Sequence, residues 1–448
     1  MPYTEKRGRK WRVRWNTWKK DDKSRWIYDG KSGFDGELEA YHYGLDQESA
    51  IRNGRYISPR DGRMLMKDYI PTWLDTMDVG HLREKNVRSI CRLYIVPRWG
   101  ETAVGDIKAT EYRAWEKQVR ARPNVGRRYA DEIMRIFSMM MDDAVDDEMR
   151  PSSPVQKHRR RGRYVKQPRE RKRDMRMEDV HALACNALVF WGFPGYVFIL
   201  TAACTGMRPA ELYALRREYC CPNWPASDPR EDPDEEDRYV DDAARYGGET
   251  GMPAIRVQHQ VQFKDGQLQT LPPKYESRRS LVVPDFLAEL FTMLLASHSS
   301  EWVFPSVGGG PIGKANFSYH YWRKIADGRK AGDSPRSPRP LPEIPPVPAY
   351  AGKRLYLLRH GHKQWIDEDG HPRVATEARM GHELRGVEGV YASVTVPMER
   401  AIMESLQARW LRFVGSLGPD WLPSSPTPLP VDLSGWMESQ VKKAPDAV

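Results

Sequence analysis

The chain has 448 residues, 40% of them hydrophobic, with 15 Trp and 21 Tyr, enough for two or three packed domains and too much for a disordered chain. Lys and Arg (71) outnumber Asp and Glu (61), and the net charge of +10 is a mild bias towards polyanions that does not by itself select nucleic acid. The five cysteines (Cys91, Cys185, Cys204, Cys220 and Cys221) lack metal-ligand spacing, no apolar run reaches the ~18 residues a membrane span needs, and the first residues carry no signal-peptide core, so a soluble protein of the reducing cytoplasm is expected.

In chain order, "RKWRVRWNTW" sets Trp11, Val13 and Trp15 against Arg12, Arg14 and Asn16, a period of two that predicts a strand. "SRWIYDGKSGF" reads as a second strand followed by a Gly-containing turn, and residues 36–53 as a helix. Residues 1–60 therefore form a small basic sheet module. Residues 63–155 carry helical patterns, ending in "NVGRRYADEIMRIFSMMMDDAVDD", where Ile133, Ile136, Phe137, Met140 and Met141 make a one-sided stripe. Residues 156–174, "QKHRRRGRYVKQPRERKRD", hold ten Lys or Arg against two acids and predict an extended linker, equally a solvated charge run or a strap across a duplex.

A larger domain is predicted over residues 175–415, with a loose tail over 416–448 that turns amphipathic near Trp436. Two segments look inserted. The stretch 227–243 holds nine acids, and 334–348 holds seven prolines and cannot continue a helix. The fold class expected is multidomain and mainly α with small β-sheets (α+β).

Four short stretches of this domain carry candidate chemistry. In "TAACTGMRPAEL" an apolar helix ends at Gly206, Arg208 precedes a Pro-initiated helix, and Glu211 falls on the face of Arg208. In "QHQVQFKDGQLQTLPPKYESRRSLVVP" a hairpin with an Asp-Gly turn is followed by Lys274, with Lys264 as a second candidate on the same hairpin. "LYLLRHGHKQW" places Arg359 in a Leu-rich helix entry, beside His360 and His362. "RMGHELRGVEGVY" sets His382 nine residues before Tyr391. Each alone reads as ordinary surface or capping chemistry. Together, two arginines, a lysine, a histidine and a tyrosine form a set suited to metal-free attack on a phosphodiester. The arginines neutralise the growing phosphorane charge, lysine protonates the leaving oxygen, histidine handles a proton or the phosphate, and tyrosine is the nucleophile.

The boxes "TGMRPAEL", "PPKYESRRSLVVP", "LLRHGHKQWI" and "MGHELRGVEGVY" resemble, in order and spacing, those of the tyrosine recombinase (phage integrase) family, with wording closest to integrases of actinomycete phages and integrative plasmids. The resemblance spans nearly the whole chain. It implies an arm-binding sheet module, a helical core-binding domain and a catalytic domain. Arg208 and Arg359 would bind the phosphate, Lys274 would be the general acid, His382 the second histidine-box residue, Tyr391 the nucleophile, and Glu211 a support for Arg208. One position departs from the pattern: Tyr356 stands where the family has histidine, three residues before the second arginine, so activity with an altered pH profile is expected. The resemblance implies no metal, cofactor or ATP. It implies double-stranded attachment-site DNA as substrate, a synaptic tetramer on it, and a directionality factor as a further partner. The helix "PMERAIMESLQARWLRFVGSL" could dock on a neighbouring protomer, as is frequent in that family, or pack on its own domain. Two rivals are a type IB topoisomerase-like strand transferase and an inactive DNA-binding regulator of integrase descent.

Overall fold

The computed structural model describes residues 1–53, 56, 58, 61–155, 174–220, 245–246, 251–264, 266–306, 309–334, 337–384, 393–417, 421, 424–426 and 428–444. Residues 156–173 of the 156–174 linker, the acidic insertion 227–243 and Tyr391 lie outside the described residues. The chain divides into two compact units, Met1–Pro168 and Arg169–Val448.

The first unit opens with an antiparallel sheet of β1 (Tyr3–Arg7), β2 (Lys10–Lys20) and β3 (Trp26–Phe34) in the order β1-β2-β3, backed by α1 (Glu37–Arg52). The alternation of β2 works as expected: Val13 and Trp15 are buried with Phe34 and Ala40 under α1, while Arg12 and Arg14 look the other way. The turn expected after Tyr28 is not one. β2 is eleven residues long and offers ladder partners from Trp11 to Asn16, so the second arm runs through Gly30 (opposite Arg14) to Phe34 as a single strand, and the strand Tyr3–Arg7 pairs on the other edge of β2.

The rest of this unit is helical: α2 (Met66–Asp75), α3 (His81–Ile90), α4 (Val96–Trp99), α5 (Ala109–Arg120) and α6 (Arg127–Asp146). Cys91–Ile95, between α3 and α4, is a π-helical turn. Pro97 explains it: proline has no N–H to bond the preceding turn, and its ring needs room that the widened turn provides. Trp99, Trp115 and Phe137 form the centre of the core, with Tyr112 stacked on Phe137. Met140 and Met141 are fully buried beside them, so the methionine run fills the core.

The second unit is built around α7 (Met177–Trp191) and α8 (Phe193–Thr205). Every residue of α8 except Pro194 is buried, so it is the spine of the unit. A short α9 (Pro209–Tyr213) follows, then β4 (Ala254–Val257), the hairpin β5 (Gln260–Lys264) and β6 (Gln267–Leu271), and β7 (Arg279–Val282), which pairs antiparallel with β4. Next come α10 (Asp285–Ala296) and helical turns over Lys314–Asp327. The Pro-rich insertion supplies a small hairpin, β8 (Gly332–Ser334) with β9 (Ser337–Leu341). It is tied down at its far end, where Asn186 Nδ2 donates to the carbonyls of Ile325 and Pro345 at 2.9 Å each. Finally α11 (Tyr356–Glu368), α12 (Arg373–Met380), α13 (Val396–Ser416) and α14 (Leu433–Lys443) complete the unit.

α13 buries Ile402, Leu406, Trp410 and Phe413 in its own unit. The tail expected to be loose folds back on the same core. Trp436 of α14 lies 5.9 Å from Trp410, and Glu289 of α10 accepts from Trp436 Nε1 (2.8 Å), Gln440 Nε2 (2.7 Å) and Lys443 Nζ (2.7 Å). Four buried side chains, Leu433, Trp436, Met437 and Gln440, spaced over about two turns outweigh the Pro- and Ser-rich approach that suggested a tail. Among the described residues no helix is long and apolar enough to cross a membrane.

A stability prediction follows from two buried histidines of this unit. Burial among Tyr196, Trp410, Phe413 and Trp421 pushes the His181 imidazole down to about 4. Burial, aided by the Arg379 charge, pushes His362 well below the ordinary histidine range. Unfolded, both would titrate near pH 6.5. The unfolded chain therefore binds more protons below that pH, and stability falls as pH drops. Between pH 7.5 and 5.5 the two rings together should cost roughly 2.7 kcal/mol of unfolding free energy, read from urea midpoints, and His181→Phe should halve that loss.

Candidate active site

The candidate residues meet where two helices end face to face. α8 stops because Gly206 takes a left-handed conformation (φ 64°), and α12 stops because Gly381 does the same (φ 63°). At the second end, Gly381 N–H donates to Ala378 O (2.9 Å) and His382 N–H to Glu377 O (3.0 Å). This paired closure of a helix explains the Gly-His dipeptide: glycine supplies the left-handed step, and the next residue is delivered at a fixed place beyond it.

Helix ends carry unpaired carbonyls and the negative end of the helix dipole, and both favour cations. The two ends here are occupied by guanidinium groups. Three successive carbonyls at the end of α12 take three arginines. Arg379 O accepts from Arg279 Nε (2.9 Å), Met380 O from Arg359 Nη2, and Gly381 O from Arg208 Nη2 (3.0 Å). At the end of α8, Gly206 O accepts from Arg359 Nη1 (2.6 Å) and Cys204 O from Arg379 Nη2 (2.9 Å). Arg359 thus spans both ends. Only 2% exposed, it loses proton affinity through burial and then through the neighbouring Arg208 charge, which bring its pKa down to about 10, so it stays charged at neutral pH.

Glu211 is the buried carboxylate of this cluster. It caps α9 by accepting from the Arg208 backbone N–H (2.8 Å), and it pairs with Arg208 Nη1 (2.7 Å) and Arg279 Nη2 (2.9 Å). Burial pushes its carboxyl up, but the Arg279 and Arg208 guanidiniums outweigh this and hold it below the usual range. Glu211 thus binds both the backbone and the guanidinium of Arg208. Its partnership with Arg279 was not expected.

His382 lies at the rim. Its Nδ1 faces Glu377 Oε2 at 2.7 Å, and its Nε2 faces Arg359 Nη2 at 3.1 Å. A carboxylate needs a donor and a guanidinium cannot accept, so this geometry assigns the neutral tautomer with the proton on Nδ1 and the lone pair on Nε2. Glu377 also binds Lys363 Nζ (2.7 Å); burial raises its carboxyl, but the bonds from Lys363 and His382 more than offset that and lower it.

Lys274 stands on a turn just beyond the β5–β6 hairpin, exposed, its Nζ 4.5 Å from the Tyr275 ring. Its backbone is linked to the cluster: Ser277 Oγ donates to Lys274 O (2.9 Å) and accepts from Arg208 Nη1 (3.0 Å). Lys264, at the end of β5, has no such link among the described contacts. Tyr356 begins α11, 39% exposed, with its ring 5.1 Å from that of His360. His360 is exposed on α11 and His362 is fully buried.

The structure thus joins Arg208, Glu211, Arg359 and His382 in one bonded cluster and ties the Lys274 backbone to it. Tyr391, nine residues past His382, lies outside the described residues. Arg279, Glu377 and Arg379 escaped the sequence reading. Arg379 had left one signal: it occupies a position on the buried stripe of α12 (Ala375, Thr376, Arg379, Met380), where a charged residue needs a reason. Arg359 and Arg379 have no carboxylate partner among the described ion pairs, so the cluster carries excess positive charge and is suited to an anion.

Gly206→Ala tests this frame. A Cβ there would lie 2.5 Å from His362 Cδ2 and 3.2 Å from Met380 Sδ, on a backbone that already disfavours side chains. Strain and overpacking together should destabilise the unit by on the order of 3 kcal/mol, measured by urea unfolding.

No protein-family profile and no curated protein sequence matches the chain. Solved structures do. Three structures of the Tn1549 transposon integrase superpose with TM-scores of 0.53, 0.52 and 0.51 at 14–15% identity, covering 75–77% of this chain and 97–99% of theirs. The fold of this chain is thus mainly helical with small antiparallel sheets, the integrase fold. The first and third of those structures contain a circular intermediate DNA, and the second contains transposon right end DNA.

Proposed function

We propose that this protein is a site-specific DNA recombinase of the tyrosine type, an integrase that cleaves and rejoins DNA through a 3′-phosphotyrosine to insert or release a mobile element. The observation that carries the reading is the bonded cluster of Arg208, Arg359 and His382, held at two helix ends with positive charge to spare. The DNA bound by the Tn1549 integrase, and the wording of the sequence boxes, nearest to integrases of actinomycete phages and integrative plasmids, support it. In this reading the scissile phosphate sits against Arg208 and Arg359. His382 Nε2 exchanges its bond from Arg359 Nη2 for the proton of the Tyr391 hydroxyl as the phenol oxygen attacks phosphorus. Charge growing on the non-bridging oxygens is met by guanidiniums already fixed in place. Lys274 gives a proton to the departing 5′-oxygen. Each broken phosphodiester is exchanged for a phosphotyrosyl ester, so rejoining needs no ATP. The substrate is double-stranded attachment-site DNA, the working form a synaptic tetramer, and a directionality factor sets the balance of integration and excision. Residues 1–60 serve as arm-binding module and 63–155 as core-binding domain, joined by the 156–174 linker to the catalytic domain over 175–415. The cytoplasm, on the nucleoid, is the place of action.

The test places two copies of any direct repeat found beside the gene, as candidate attachment sites, on one plasmid. Recombinant circles of the expected sizes support the reading. Relaxation of supercoils without exchange would indicate the topoisomerase-like alternative, and binding without cleavage the inactive regulator.

A further inference from the structure

Arg379 is the residue whose presence the cluster explains least. Its guanidinium is buried, and an uncompensated buried charge is costly. Its donors go to two places, His362 Nε2 (2.9 Å) and Cys204 O (2.9 Å). The His362 ring completes the path, with Nδ1 2.9 Å from Ala203 O. Guanidinium cannot accept and carbonyl cannot donate, so the ring is neutral, with its proton on Nδ1. The same ring packs against Gly206, where even a Cβ would not fit. One side chain from α12 and one from α11 are therefore bolted to the last carbonyls of α8. The α12 end is thereby fixed against α8, and its carbonyls of Arg379, Met380 and Gly381 are the ones that hold Arg279, Arg359 and Arg208.

We propose that His362 and Arg379 act together as a positioning strut for the recombination chemistry: neither touches the phosphate, but together they fix the spacing between the ends of α8 and α12 that Arg359 must span. This rests on the function proposed above. Without the strut the last turn of α12 is free to shift, and Met380 O, Gly381 O and His382 shift with it. Arg208 and Arg359 then lose their shared alignment while keeping their charge, so DNA is still bound and cleavage slows.

The experiment compares His362→Leu, His362→Gln, Arg379→Met and the Leu/Met double variant with the parent chain in single-turnover cleavage of a nicked duplex built from the flanking repeat. Affinity for the same duplex is measured alongside. Gln can accept from Arg379 and donate to Ala203 O, so it should stay within about 5-fold of the parent. The Leu and Met variants should each cleave about 100-fold more slowly with affinity within about 3-fold, and the double variant should be no worse than either, because the pair works as a unit. A second readout needs no DNA. In histidine-selective NMR spectra of the full chain, His362→Leu should move the ring signals of His382, which touches neither strut residue. If the parent forms no adduct, the proposed function fails and the NMR comparison alone decides the strut. Cleavage within 3-fold of the parent in His362→Leu, or unmoved His382 signals, would overturn it. If the Leu and Met variants do not fold, the Gln variant decides: cleavage more than about 5-fold slower than the parent, or moved His382 signals, would overturn the strut.

Discussion

Tyr391→Phe should bind attachment-site DNA with unchanged affinity and form no covalent adduct, with strand exchange lowered on the order of 10⁴-fold or more, because no other group in the proposed mechanism can serve as nucleophile. The readout is a denaturing gel of protein linked to labelled DNA, alongside a binding assay. Phenylalanine keeps the ring and removes only the attacking oxygen, so lost binding would point to a folding role, and full-speed exchange would remove tyrosine from the chemistry altogether.

The second large effect is expected from Arg359→Lys. Arg359 donates to Gly206 O, Met380 O and His382 Nε2 from one rigid fork. Lysine retains the charge but cannot hold three partners at those angles. Cleavage should fall roughly 10²- to 10³-fold, the range found when one pre-aligned donor is removed from a transition state, while DNA affinity changes little. A drop in affinity equal to the drop in rate would mean that Arg359 holds ground state and transition state alike, and the pre-alignment argument would fail.

Much of the site was legible in the chain because its chemistry demands residue types that ordinary packing does not. A buried arginine in "LLRHGH", an Arg-x-x-Glu after a glycine, and a Gly-His dipeptide each state a local need. Gly206 was informative because a helix that must stop and expose its carbonyls needs a left-handed residue there; Gly381 plays the same part, which the Gly-His dipeptide alone did not announce. What stayed hidden was tertiary. No spacing announces that three successive carbonyls of one helix end will take arginines from β7, α11 and the start of α9. Nor does it announce that Arg279 shares Glu211 with Arg208. The fold shows the same division. The alternation of Trp11, Val13 and Trp15 fixed a strand, but the continuation through Gly30 depended on a long partner strand. The docking of Leu433–Lys443 depended on Glu289, far away in sequence.

The central claim is a covalent bond between one phenol and the 3′ end of cleaved DNA, made within this arginine cluster. Trapping the protein on a nicked duplex, digesting both partners and locating the nucleotide-bearing peptide by mass spectrometry tests it directly. The account predicts a 3′-phosphate ester on Tyr391. An adduct on any other side chain, or one attached through a 5′-phosphate, would contradict it.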